Sequence, residues 1–238
     1  ALEYANLGVE KSRLQLVGHP LHNDLKRMIQ LWRLIRDRSR RWMEVDPNMD
    51  LVVFFSEPLA DQIDNGTIPD PGYNEFDALN STAAGLARLY RRHACVLAVK
   101  EQSEHRSFGE RLQGGELGGV RVVDITDSPL TEFEWLLAAD VVVGMASPML
   151  VHSACAGIHT VVMQPNLIRR NDRNPLTRRG LLSNHETPED IANEINKHDD
   201  QDKRPLARIR KEFRWNEDAA ANVAKMIVEL CEDRQLHG

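Results

Sequence analysis

Leu136–Pro165 reads LLAADVVVGMASPMLVHSACAGIHTVVMQP, and the fold follows from it. Leu130–Ala139 has the pattern of a short helix and runs into Asp140–Val143. That apolar run is the mark of a strand covered on both faces. Gly144–Ser147 is a tight turn of small residues. Pro148 at a first helical position makes Ser147 the cap of a helix over Pro148–Ala156. Gly157 follows, and Thr160–Met163 is a further apolar strand. Strand, helix and strand at this spacing form a crossover unit, which needs a parallel sheet.

The same alternation extends outward on both sides. Upstream, Leu51–Phe55, Cys95–Val99 and Val120–Val123 read as strands, with Asn74–His93 as a helix between the first two. Downstream, Thr187-Pro188-Glu189-Asp190 is a helix start, with a cap, a proline and acids in the first turn. Pro205–Phe213 and Glu217–Leu230 read as closing helices. Right-handed crossovers then give an α/β fold, a Rossmann-like doubly wound parallel sheet of about five to six strands with flanking helices. Before it, Arg13–Val17 reads as a short strand and Leu21–Val45 as one long helix. Leu25, Met28, Ile29, Trp32, Ile35 and Met43 form its apolar stripe, and Arg33, Arg36, Arg38, Arg40 and Arg41 a solvated face. Residues 1–45 are thus expected as a linker strand and long helix, and 46–238 as the Rossmann-like domain. The start, without Met, suggests a chain that begins partway through a larger protein.

The composition agrees with a folded domain. The 238 residues are 42% hydrophobic and 28% charged, enough apolar material for a core and too much for a disordered chain. A net charge of -6 argues against nucleic acid as a bulk partner. No apolar run reaches the ~20 residues that cross a bilayer. Cys95, Cys155 and Cys231 are far apart, and two lie in apolar segments. Buried thiols in a reducing, cytoplasmic compartment are expected.

In an open parallel sheet, ligands sit beyond the C-terminal ends of the strands, where the strand order reverses. The loops there are Ser56–Tyr73, Lys100–Gly119, Asp124–Pro129, Gly144–Ser147 and Gln164–Arg179. The turn before Pro148 is the sharpest candidate. Free N–H groups at a helix start favour an anion, and small residues let it approach. A plain turn with a capping serine accounts for the same residues equally well. Neither G-x-G-x-x-G nor G-x-x-x-x-G-K-[ST] occurs. Gly114-Gly115-Glu116-Leu117-Gly118-Gly119 precedes a strand and reads as a mobile connector.

The block Leu136–Pro165 resembles the C-terminal, donor-nucleotide half of GT-B glycosyltransferases and related sugar-nucleotide enzymes. Leu14–Pro20 with Asp24 is similar to the segment joining the two halves of such enzymes, Leu51–Pro58 to the first strand of the C-terminal half, and Val96–Lys100 to its second. The resemblance implies a domain that binds a nucleotide-sugar donor, from which sugar passes to an acceptor hydroxyl. The donor is a substrate, so no cofactor is implied. An N-terminal acceptor domain or a partner protein would complete the enzyme. Gly144, Ala146 and Ser147 would line the diphosphate, Asp124–Ser128 with Asp127 would meet the base, and Ser56 and Lys100 would form the cleft floor. Such enzymes commonly carry an acid in the helix after the turn, where His152 stands here. The Pro-His-Pro after the second strand is replaced by Lys100-Glu101-Gln102-Ser103. The His-Arg-Arg-Glu type of loop of the non-hydrolysing epimerases is absent, which disfavours that branch.

Read singly, His152 is either a ribose or phosphate donor or a half-buried structural histidine. Arg169, Arg170, Arg173, Arg178 and Arg179 clamp phosphates, form a solvated lid or contact a partner. Asp140, opening a strand, is structural, and Asp127-Ser128-Pro129 has turn chemistry. No residues stand at metal-ligand spacing, and no catalytic set emerges. The competing expectation is a non-catalytic Rossmann-like module that binds a protein or an anionic small molecule.

Overall fold

The computed structural model describes residues 18–89, 95–101, 108, 112, 115–197, 204–215 and 218–236. The expected strand Arg13–Val17 lies outside them. The strands are β1 (Asp50–Phe55), β2 (Cys95–Lys100), β3 (Glu116–Leu117), β4 (Val120–Asp124), β5 (Val141–Gly144), β6 (His159–Met163) and β7 (Asn184–His185). They form one sheet in the order β3-β4-β2-β1-β5-β6-β7. All pairs are parallel except β3 with β4. With β3 set aside, the parallel strands follow the doubly wound order 3-2-1-4-5-6. The α/β Rossmann-like expectation therefore holds.

The helices are α1 (Pro20–Ile29), α2 (Trp32–Trp42), α3 (Leu59–Asp64), α4 (Glu75–Leu89), α5 (Glu132–Ala138), α6 (Pro148–Ala156), α7 (Pro175–Arg178), α8 (Pro188–Asn196), α9 (Arg204–Glu212) and α10 (Ala219–Leu236). Alternate side chains of β1 enter opposite cores. Leu51, Val53 and Phe55 join Leu25, Trp135 and Leu150 on the face of α1, α5 and α6. Val52 and Phe54 join Leu79, Leu86 and Ile191 on the face of α4 and α8. Burial on both faces is why β1 reads as an unbroken apolar run.

The structure departs from expectation at three places. The stretch 21–45 is two helices broken at Gln30–Leu31, because its halves dock differently. α1 packs on α6, α10 and α5, and α2 chiefly on α5. Trp32, expected inside, is 43% exposed. Arg36 and Arg40, expected in solvent, both donate to the Asp140 carboxylate. Arg40 also donates to Met49 O at 2.7 Å, and Leu51 N–H donates to Asp140 at 2.8 Å. Asp140 thus ties α2 to the starts of β1 and β5, the structural role read for it. Finally, Gly118-Gly119 is no connector: both residues have positive φ, and they make the two-residue turn of the β3–β4 hairpin.

Candidate functional site

Three strand ends stand level. Phe55 of β1 is in register with Lys100 of β2 and with Gly144 of β5. Ser56 N–H continues the ladder to Lys100 O at 2.9 Å. Sheet order reverses between β1 and β5, the place where doubly wound sheets take their ligands. Gly144 is required by this pairing, since a Cβ on it would lie 2.9 Å from Phe55 O.

Beyond Gly144 the chain turns into α6. Ser147 is the N-cap, its Oγ accepting from Met149 N–H, and Pro148 is the first helical residue. Ser147 O accepts from Leu150 N–H at 3.0 Å. Ala146 N–H donates to Glu57 Oε2 at 2.9 Å. A carboxylate of this chain therefore occupies an amide of the turn expected to take an anion. Met145 O accepts from the buried Asn174 Nδ2 at 2.7 Å, which fixes the far side of the turn.

Glu57 belongs to a wider polar cluster. Burial raises its carboxyl above the usual range, opposed by the Ala146 amide and the Arg173 charge. Arg173 Nη1 donates to Gln62 Oε1 at 3.0 Å. The fully buried Gln164, just past β6, donates through Nε2 to Tyr73 Oη and to Asp172 Oδ1, each at 3.0 Å. Its Oε1 has no hydrogen-bond partner. Burial raises the Tyr73 phenol far above its usual value, and the Glu57 and Asp172 charges add to this. Tyr73 is thus a neutral hydrogen-bonding group.

Ser56, Lys100, Gly144, Ala146 and Ser147 are brought together at the strand ends. Lys100 Nζ spends a hydrogen bond on Thr126 O at 2.8 Å, which holds the loop after β4. Asp127 is exposed on that loop, and Arg169 is exposed in a short turn beyond β6. His152 points elsewhere. Its ring meets His19, His22 and Phe133 edge to face, at centroid distances of 5.1, 5.2 and 5.4 Å. His22 also packs on Trp215 at 4.9 Å. Both nitrogens of His22 and Nδ1 of His152 are buried without a partner. Desolvation, then the neighbouring imidazoles, lowers His152 to about 4, and desolvation with His19 and Lys26 does the same to His22. Among the described residues no group of three or more His, Cys, Asp or Glu could hold a metal ion. Cys95 and Cys155 are buried free thiols, pushed up to about 12 by burial.

The residues that sequence reading passed over are Glu57, Tyr73, Gln164, Asp172 and Asn174. Their loops stood among the candidates, but no spacing links them. The available signal was Ser56-Glu57-Pro58: an acid directly after a buried strand, where anion binding calls for a neutral or basic residue.

No family model matches this sequence, and no curated protein matches it. Solved structures do match in fold. The wall teichoic acid polymerase TagF superposes with a TM-score of 0.60 and 11% identity, covering 97% of this chain and 54% of that one. The same polymerase soaked with CDPG gives 0.59 and 11%, over 97% and 54%. UDP-GlcNAc 2-epimerase from Neisseria meningitidis, bound to UDP-GlcNAc, gives 0.52 and 10%, over 96% and 57%. The class defined is a GT-B-like α/β domain, consistent with the C-terminal half of that fold. The chain spans about half the length of the structures it matches.

Proposed function

We propose that this chain is the donor-nucleotide-binding half of a GT-B-type glycosyltransferase. It holds a nucleotide-sugar at the ends of β1, β2 and β5, and an N-terminal acceptor domain or partner protein completes the enzyme. The observation that carries this reading is the reversal of strand order between β1 and β5, with the Ser147-capped helix start and Lys100 at the same level. In this reading the diphosphate lies against the Gly144–Ser147 turn. Backbone N–H groups and the basic side chains of Lys100 and Arg173 stabilise it as it leaves with negative charge. In this reading Asp127 meets the base and Arg169 an outer phosphate. His152, buried among rings, has no part in this reading.

A second reading is favoured by one contact. Glu57 already satisfies the Ala146 amide, as in a Rossmann-like module that takes a protein or an anionic small molecule elsewhere. Calorimetric titration with UDP, CMP, GDP, ADP, CDPG and UDP-GlcNAc separates the two. The donor reading expects saturable binding to at least one nucleotide, lost in Ser147→Trp. A well-folded sample that binds none of them establishes the second reading instead.

A further inference from the structure

Five of the eight large hydrophobic side chains exposed among the described residues lie between Leu21 and Trp42. They are Leu21, Leu31, Trp32, Leu34 and Trp42, each between 43% and 69% exposed. The same stretch is the basic part of an acidic chain. Pro20–Trp42 holds seven Lys and Arg against two Asp, a net of +5, so the remainder of a chain of net -6 carries -11. Two charges are met from outside the stretch, by Asp140 against Arg36 and Arg40 and by Glu134 against Arg38. The hairpin of α1 and α2 still keeps +3.

Helical spacing sorts these residues onto one side. At 3.6 residues per turn, Leu31, Leu34, Arg38, Arg41 and Trp42 fall within an arc of about 100°. The opposite arc sends Arg36 and Arg40 inward to Asp140. Thus Asp140 fixes α2 by its inner arginines and leaves outward a face with Leu31 and Leu34 at one end and Arg38, Arg41 and Trp42 at the other. A solvated helix has no use for Leu34 at 69% exposure, and contiguous exposed apolar side chains mark an interaction site. A nucleic-acid groove would meet the arginines but leave Leu31 and Leu34 unpartnered. A bilayer surface meets both. Leucine enters the boundary of headgroup and acyl chain, tryptophan sits at headgroup level, and arginine pairs with anionic lipid. No helix among the described residues is long and apolar enough to cross a membrane, so the contact is one of surface attachment.

We propose that the outer face of the α1–α2 hairpin docks on an anionic lipid bilayer, with Leu31 and Leu34 inserted, Trp42 held at headgroup level by its packing on Trp135, and Arg41 on lipid phosphate. This goes beyond the donor-site reading and does not depend on it.

The test is co-sedimentation with vesicles of phosphatidylcholine alone or mixed with phosphatidylglycerol. The wild type binds the mixed vesicles about tenfold more tightly than the neutral ones, and high salt removes the difference. Its tryptophan emission shifts to the blue on binding. Leu31→Gln/Leu34→Gln weakens binding about tenfold and Arg41→Gln about threefold, with circular dichroism and melting temperature unchanged. The proposal fails if folded wild type ignores the mixed vesicles, or if the leucine variant binds like wild type. It fails equally if sedimentation equilibrium shows a dimer that the leucine variant dissolves and vesicles do not displace. That result assigns the face to a second copy of the chain.

Discussion

The first and second turns of α6 handle polar groups in opposite ways. In the first, the N–H groups of Ala146, Met149 and Leu150 all have acceptors within the chain. In the second, His152 packs against His19 and His22, and three ring nitrogens of the buried pair have no partner. The first turn is therefore settled by exchange: an incoming anion must replace Glu57, acceptor for acceptor. At His152 the second is held by ring packing, which keeps the imidazoles neutral and makes protonation costly.

Acid should break this contrast most visibly. His22 and His152 have folded values near 4 against an ordinary 6.5, so the unfolded chain binds more protons between those limits. Their stabilising share is complete above pH 6.5 and is lost as pH falls toward 4, up to about 3 kcal/mol for each ring taken alone. Urea unfolding at a series of pH values shows the loss, and His22→Leu/His152→Leu flattens it. An acid limb unchanged in that variant would refute the account of the seam.

Gly144→Ala comes next. Its Cβ would press on Phe55 O at the seam of β1 and β5, and an overpacked site of this kind costs roughly 1–3 kcal/mol. Thermal unfolding measures it, and a melting temperature equal to wild type means that β1 and β5 are not so tightly paired.

Glu57→Gln sharpens the contrast from the ligand side. Removing the competing charge should raise nucleotide affinity about tenfold at pH 8, or roughly 1.4 kcal/mol. Wild-type affinity should rise as pH falls, because protonation frees the Ala146 amide, and the variant should be level with pH. Equal slopes in the two proteins would show that Glu57 does not compete.

The smallest effect belongs to Ser147→Ala. Loss of one cap bond should cost about 1 kcal/mol in denaturant unfolding. A neutral result would mean that the Asn174–Met145 clasp holds the turn without the cap.

Periodicity and punctuation made most of the sheet legible. Buried parallel strands announce themselves as apolar runs, and Ser147-Pro148 and Thr187-Pro188 mark helix starts that the structure bears out. The break at Gln30–Leu31 carried no glycine or proline, because it follows from how each half docks. Arg36 and Arg40 looked like a solvated face for a related reason: their partner, Asp140, lies a hundred residues away. The strand-end residues could be placed because topology alone puts them together. Glu57, Gln164, Asp172 and Asn174 could not, since their grouping depends on loop paths without a repeating pattern. His152 was read from alignment with a family position, and its packing on His19 and His22 depends on the docking of α1.

Each border of the sheet is a strand of only two residues, β3 on one side and β7 on the other. Long bare borders invite a foreign segment to add itself and so seed fibres. Here the outermost rungs end almost as soon as they begin, and the Gly118-Gly119 reversal folds one border back on the chain itself. A foreign strand laid on β3 or on β7 would therefore find only two residues to pair with.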